Sequence, residues 1–235
     1  MNRLFKSNII AYALSALLLV TTSLVTFVGT LHVMELTSFD HMREVTYLVQ
    51  TENGYGSGVL IAPNRILTAA HVVDGSTNIT INGLETTIIR MDKDNDLALL
   101  YVELSCPKTI LQIDSCAVLA KDRPDIDNSV YVVGYPIYPG FITQLLTEGR
   151  IQNYILGAED KVKYLVTTAP VISGNSGGPV FVRTVFGYEV VGIVVQVAVL
   201  PTGFGVSFIP HINKSIPIDS IRKFLRIDSL KAKNL

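Results

Sequence analysis

Three residues in this chain carry the side chains needed for nucleophilic attack on a carbonyl, in the order His71, Asp96, Ser176. A serine hydroxyl is a weak nucleophile at neutral pH, so it needs an imidazole that takes its proton and later returns it to the leaving group. That imidazole needs a carboxylate on its other ring nitrogen, which fixes its tautomer. The three residue types therefore predict acyl transfer, with Ser176 as nucleophile, His71 as general base and Asp96 as orienting carboxylate.

The predicted nucleophile lies in the hexapeptide Gly-Asn-Ser-Gly-Gly-Pro at 174–179. Glycines allow a sharp turn, so that the backbone N–H groups of Gly174 and Ser176 can point together at a developing oxyanion. Removing one such donor costs about 3–4 kcal/mol of transition-state stabilisation. We therefore expect Gly174 and Ser176 to form an oxyanion hole.

Each of these motifs alone also fits a structural role. The glycine-rich hexapeptide is typical of a tight turn. His71 alone fits a core histidine after an apolar run, and Asp96 alone fits a loop-to-strand junction. Their joint occurrence in one order, each beside strand-like residues, favours the catalytic interpretation.

Seven segments follow one another in an order typical of one peptidase family. They are 56–61, 66–73, 95–100, 132–136, 174–179, 191–193 and 203–210. Together they resemble the trypsin-like serine peptidases of the chymotrypsin fold, and within them the HtrA/Deg branch, over about residues 44 to 226. The resemblance implies a serine endopeptidase that acts on polypeptides without a cofactor.

The strand pattern and the resemblance predict an all-β fold of two six-stranded antiparallel β-barrels with a short C-terminal helix. We expect the first barrel over 44–120, a linker over 121–128, the second barrel over 129–216, and the helix and tail over 217–235. His71 and Asp96 then belong to the first barrel and Ser176 to the second, which places the site in the cleft between them. Alternating apolar residues indicate strands at 44–50, 78–81, 86–91, 97–102, 130–133, 164–167, 180–182 and 190–197.

The chain departs from this family at two points. Asn175 precedes the nucleophile where digestive trypsins have an aspartate that pairs with a newly cut N-terminus, so we do not expect activation of that kind. HtrA/Deg enzymes usually carry PDZ domains after the protease, whereas 25 residues follow Pro210, too few for such a domain. The oligomeric state of the branch is therefore left open.

The specificity pocket of this family is built from three segments, which here map to 170–173, 193–196 and 203–207. None of these residues is charged. We expect Ile193, Val194, Val195 and Gln196 to bind substrate, and the uncharged lining to prefer small or medium apolar side chains.

Two cysteines, Cys106 and Cys116, lie ten residues apart. In an extracytoplasmic protein they can pair, and a disulfide closing so short a loop stabilises by about 2–3 kcal/mol. The alternative is two buried thiols. The histidines and cysteines have no metal-ligand spacing, so no metal site is expected.

The N-terminal segment contains no charged residue from Ser7 through Leu31. As a helix, Ile9–Val28 would extend about 30 Å, enough to cross a bilayer. It is longer than the apolar core of a signal peptide, so we expect an uncleaved anchor over 1–31 and a membrane-proximal spacer over 32–43. Arg3 and Lys6 precede it, which places the N-terminus in the cytoplasm and the barrels on the periplasmic or extracellular side.

The overall charge argues against one class of partner. A formal net charge of −1 gives no basic excess, so nucleic acid is not expected as a partner. Two hypotheses remain. One is a membrane-anchored serine endopeptidase acting on unfolded or membrane-near proteins. The other is a non-catalytic binding or scaffolding protein of the same fold, which captures extended peptides along a strand edge.

Overall fold

The computed structural model of the protein describes residues 14–30, 39–109, 112–138, 141–156, 162–202 and 205–231. The helices are α1 (14–30), α2 (Phe39–Glu44), α3 (Ala70–Val73) and α4 (Ile218–Lys231). The first eight strands are β1 (Thr46–Thr51), β2 (Gly54–Ala62), β3 (Arg65–Thr68), β4 (Ile79–Ile81), β5 (Leu84–Glu85), β6 (Thr87–Asp92), β7 (Leu97–Tyr101) and β8 (Val118–Leu119). The other eight are β9 (Ser129–Gly134), β10 (Ile137–Tyr138), β11 (Phe141–Ile142), β12 (Leu145–Leu156), β13 (Val162–Thr167), β14 (Pro179–Thr184), β15 (Gly187–Thr202) and β16 (Gly205–Pro217).

Two seven-stranded sheets build the two barrels. The first has the order β5-β4-β1-β2-β3-β7-β6, and the second has the order β14-β9-β12-β13-β16-β15-β8. A further pairing of β14 with β15 closes the second sheet on itself. Chains of antiparallel strands that close into barrels leave few unpaired edges.

Each sheet contains six antiparallel strands, which is the number predicted for each barrel, and one further short strand. In the first sheet the two-residue strand β5 extends β4 as a hairpin. In the second, β8 pairs with β15 in parallel. The prediction of six strands per barrel is therefore corrected to seven, because these additions are too short to leave an alternating pattern in the sequence.

The core is apolar and continues from one barrel into the other. One cluster lies within the first barrel and is centred on Val49, Leu60 and Ile66. A larger cluster joins residues of the first barrel, such as Val59 and Leu67, to residues of the second. The two barrels therefore pack as one body, which fixes the first-barrel residues of the site relative to the second.

The segment before the first barrel is more ordered than a spacer. Residues 39–44 form helix α2, and its Met42 is fully buried in the shared core. Glu44 is the last residue of this helix rather than the first of a strand. The later part of the predicted spacer over 32–43 therefore packs with the barrels through this methionine.

The N-terminal helix is described only in part, because residues 1–13 of the predicted anchor lie outside the described residues. Within the part of the chain that the structure describes, no helix combines the length and apolarity needed to cross a membrane.

Candidate active site

His71 and Asp96 lie side by side in the first barrel. Asp96 Oδ2 is 2.7 Å from His71 Nδ1, and Asp96 Oδ1 accepts the backbone N–H of His71 at 2.9 Å. A carboxylate can only accept hydrogen bonds, so the Nδ1 proton is the donor and Nε2 is left as the basic nitrogen. Both carboxylate oxygens hold the same residue, which fixes both the position and the tautomer of the imidazole.

The two residues come from adjacent elements of the first sheet. His71 belongs to the single turn α3 that directly follows β3, and Asp96 directly precedes β7, the neighbour of β3. Asp96 has a φ of +52°, in the left-handed region, at the end of the turn between β6 and β7. Aspartate tolerates this region better than most residues, so the turn can aim its carboxylate back at α3.

In the nucleophile loop, the orientation of the peptide between Ser173 and Gly174 is fixed by a hydrogen bond. The carbonyl of Ser173 accepts the N–H of Ile137 at 2.8 Å. In a trans peptide the N–H points away from the carbonyl, so the Gly174 N–H faces the opposite side of the loop. Gly174 has a φ of +94°, and a Cβ there would overlap the Tyr135 carbonyl oxygen. Glycine is therefore required at this position.

Three of the loop's N–H groups are used to hold its shape. Asn175 donates to Ile172 O at 3.1 Å, Gly177 to Val194 O at 2.7 Å, and Gly178 to Asn175 O at 2.9 Å. The N–H groups of Gly174 and Ser176 donate to no acceptor among the described residues. They are the two donors that the sequence assigned to an oxyanion hole.

Across the described residues, the hydroxyl of Ser176 makes no hydrogen bond, either to His71 or to another group. Hydrogen bonds between catalytic groups are often long before substrate binds.

Ser57 joins the two barrels beneath this loop, a role that the sequence analysis missed. Its N–H donates to Ser176 O at 2.7 Å, and its hydroxyl donates to Gly174 O at 2.8 Å while accepting the N–H of Tyr135 at 2.9 Å. Its carbonyl accepts the hydroxyl of Thr68 at 2.7 Å. Ser57 is fully buried. The only sequence signal was a serine between two glycines, Gly56 and Gly58.

A cavity of about 220 Å³ opens beside Ser176. It has no charged side chain in its lining, which consists of Val171, Ile172, Ser173, Ser176, Val194, Val195, Gln196 and Val197. Ile193, predicted to bind substrate, is fully buried and belongs to the core instead. The side chain that completes this wall is Val197, because a register shift in β15 between Val194 and Gln196 interrupts the simple alternation. Residues 203 and 204 of the predicted wall lie outside the described residues.

The two cysteines form a disulfide in the structure, with Cα atoms 4.8 Å apart. The bond closes the loop between β7 and β8.

Among the residues that are described, no group of three or more His, Cys, Asp or Glu side chains could hold a metal ion.

Two barrels, with a histidine and an aspartate in one and a serine loop in the other, define a chymotrypsin-like peptidase fold. The family model described as "Trypsin-like peptidase domain" matches residues 56–193, more than half of the chain, and the chain belongs to this family.

Particular relatives include bacterial serine proteases. Serine protease Rv3671c of Mycobacterium tuberculosis strain H37Rv is 33% identical over 137 residues, covering 53% of this chain and 32% of that protein. Putative serine protease HhoB of Synechocystis sp. is 29% identical over 141 residues, covering 54% of this chain and 32% of that protein. The chain thus spans about a third of the length of these curated relatives. The resemblance to trypsin-like peptidases with HtrA/Deg-like relatives is confirmed.

Solved structures share the fold. A crystal structure of the Rv3671c protease in its inactive form has a TM-score of 0.60 and 25% identity, covering 78% of this chain and 88% of that chain. The HtrA-type protease AlgW with a tripeptide has a TM-score of 0.61 and 21% identity, covering 80% of this chain and 62% of that chain. At this identity the second likeness concerns the fold alone.

Proposed function

We propose that this chain is a membrane-anchored serine endopeptidase in which Ser176, His71 and Asp96 hydrolyse peptide bonds. The observation that carries the proposal is the pairing of two features. Both oxygens of Asp96 hold His71, and the only N–H groups of residues 174–178 without an acceptor among the described residues are those of Gly174 and Ser176. A loop with a purely structural role has no reason to leave that pair of donors free.

The chemistry follows from this geometry. The Ser176 hydroxyl attacks the scissile carbonyl as His71 Nε2 takes its proton, and Asp96 stabilises the resulting imidazolium. The carbonyl oxygen becomes an oxyanion, which the N–H groups of Gly174 and Ser176 receive. The imidazolium then protonates the leaving amine, and a water molecule activated by His71 releases the acyl group from Ser176.

The apolar cavity beside Ser176 supports a preference for small or medium apolar residues at the cleaved position. Its walls are mostly valine and isoleucine, without a charge that would pair with arginine or lysine. Such residues become accessible in unfolded or membrane-near polypeptides, which we propose as the substrate class.

Membrane anchoring is supported by the apolar side chains of α1. Leucine, valine and phenylalanine side chains are exposed along the described helix, among them Leu17, Leu18, Leu24 and Phe27. Large apolar side chains exposed along a helix favour an apolar surrounding. Arg3 and Lys6 precede it, so we place the N-terminus in the cytoplasm and the barrels outside. The disulfide between Cys106 and Cys116 supports an oxidising compartment for the barrels.

The experiment that tests catalysis treats the full chain with a fluorophosphonate probe and measures covalent labelling by intact mass. We expect labelling of the parent, none of Ser176→Ala, and full labelling of Ser129→Ala, which removes a hydroxyl at the start of β9, outside this cavity. A folded parent that remains unlabelled would favour the second hypothesis, a binding protein of this fold without turnover.

A further inference from the structure

The turn between β14 and β15 carries two apolar side chains that face solvent. Val185 is 78% exposed and Phe186 is 76% exposed, more than any other large apolar side chain in the described part of the chain, those of α1 included. Single exposed apolar residues are ordinary on protein surfaces. Here two adjacent apolar side chains, one of them aromatic, are both more than three-quarters exposed, which indicates a contact surface.

The turn is held in a defined conformation. Strand residues Arg183 and Tyr188 pair across it. The Thr184 hydroxyl donates to Gly187 O at 3.2 Å and accepts the N–H of Phe186, also at 3.2 Å. The two apolar side chains are therefore presented by a structured hairpin rather than by a loose loop.

The hairpin lies where the chain joins the barrels. Tyr188 packs edge-on against Tyr131 with ring centroids 5.4 Å apart. Phe39 packs on both, at 5.4 Å from Tyr131 and 5.9 Å from Tyr188. Phe39 is the first residue of α2. The chain that arrives from α1 is therefore attached to the barrels next to the base of this turn.

The connection to α1 is short. The described part of α1 ends at residue 30, and α2 begins at Phe39. A fully extended chain covers about 3.3–3.6 Å per residue, so this stretch bridges at most about 30 Å. If α1 sits in a bilayer, the side of the barrels that carries Phe39 and the hairpin is the side tethered to that bilayer.

We propose that the Val185–Phe186 turn inserts into the interfacial layer of the membrane that holds α1. Aromatic side chains concentrate at this layer, and an apolar tip buried there is removed from water. Arg183, exposed on the hairpin, is placed to meet lipid phosphate. With α1, the turn gives the barrels a second contact with the lipid and so fixes their orientation. This inference rests on the proposed membrane anchor.

The test places an environment-sensitive fluorophore at the turn of the full chain. Phe186→Cys and, separately, Val185→Cys are labelled and reconstituted in phosphatidylcholine–phosphatidylglycerol vesicles. Leu84→Cys is the matched control, because Leu84 is 41% exposed and follows the turn of a hairpin in the first barrel. The native cysteines are bonded to each other, so the label is specific to the new thiol. Fluorophosphonate labelling checks that each variant is folded.

We expect a blue shift at positions 185 and 186, with quenching by lipids that carry a nitroxide near the headgroup, and neither effect at position 84. Equal, water-like emission at all three positions in protein that floats with the vesicles would overturn the insertion while leaving the anchor standing. Failure of the protein to float would overturn the anchor and, with it, the insertion. A blue shift that rises with protein density and resists the lipid quencher would assign the turn to a second copy of this chain and would likewise overturn the proposal.

Discussion

The hydroxyl of Ser57 lies between the Tyr135 N–H and the Gly174 carbonyl, while its backbone N–H holds the carbonyl of Ser176. It touches both peptide units that flank the proposed oxyanion hole without facing substrate itself. Ser57 is therefore a positioning residue. Its influence should appear in the chemical step rather than in substrate binding.

Ser57→Ala is expected to lower kcat about 10- to 100-fold with a smaller change in KM, because leaving buried hydrogen-bonding groups unpaired costs about 1–3 kcal/mol. The measurement is steady-state hydrolysis of an apolar peptide. Thr86→Val is the control, since it removes a buried hydroxyl that bonds Leu84 O, between β5 and β6 of the first barrel. A parallel loss of kcat in both variants would assign Ser57 a purely structural role.

The cavity beside Ser176 gives a second prediction at the residue scale. In a peptide library, cleavage should follow alanine, valine or leucine, because the lining offers no carboxylate to a basic side chain. A profile dominated by arginine or lysine at the cleaved position would contradict this assignment. Gln196→Glu places a carboxylate in the lining and should add cleavage after basic residues, since a charge within the cavity then pairs with them.

The sequence alone indicated His71, Asp96 and Ser176 as candidate reactive residues, because their types are chemically specific. It predicted neither the hydrogen bonds of Ser57 nor the left-handed backbone of Asp96. The bond from Ser57 to Gly174 joins residues 117 positions apart. Such a contact forms only after both barrels have folded, so no local sequence pattern predicts it. Ile193 is buried in the shared core, whereas the residues that follow it, 194–197, line the cavity, and the family segment alone could not separate them.

At the scale of elements, β12 shows why some strands escaped prediction. It has 12 residues, and of these only Ile151 is buried. Because most of its side chains lie at the surface on both faces, its sequence does not alternate between apolar and polar residues. The predicted strands, by contrast, each coincide with an observed strand to within a few residues, and all of them except β6 contribute buried apolar side chains to the core.

Gly149 lies within β12 opposite Val130 of β9, and a Cβ there would overlap the backbone of Thr168 and Ala169. Gly149→Ala should therefore destabilise the protein by about 1–3 kcal/mol, since inserting atoms into a packed site forces the backbone to shift. Thermal unfolding measures the change. Glu148→Ala alters the neighbouring exposed residue and should leave the midpoint nearly unchanged. An unaltered midpoint for Gly149→Ala would mean that the close approach of β12 is absent.

At the scale of the whole molecule, the linker between the barrels is tied to both β12 and α4. The Tyr154 hydroxyl donates to Pro124 O at 2.6 Å. Arg123 pairs with Asp219 of α4 at 2.6 Å, and Arg222 donates to Ala120 O at 3.0 Å. The segment predicted as a linker has no regular structure, yet these contacts fix its course against the second barrel.

Burial raises the pKa of Tyr154 to about 12, against the opposing charge of Arg123. The unfolded chain loses this proton near the ordinary value of about 10. The contribution of Tyr154 to stability is therefore complete below about pH 10 and is lost as the pH rises towards about 12. We expect the free energy of unfolding of the parent to fall more steeply across this window than that of Tyr154→Phe. Urea titrations at several alkaline pH values measure both, and equal slopes would contradict the prediction.

The sharing of one site between two barrels also has a consequence for synthesis of the chain. His71 and Asp96 leave the ribosome early, but the nucleophile loop takes its shape from Val194 O in β15 and from Ser57 in the other barrel. Until β15 has emerged and folded, the growing chain holds a base and a carboxylate but no shaped oxyanion site. A nascent or truncated copy that ends before β15 is therefore expected to lack the loop shape that the proposed peptide hydrolysis by Ser176 requires.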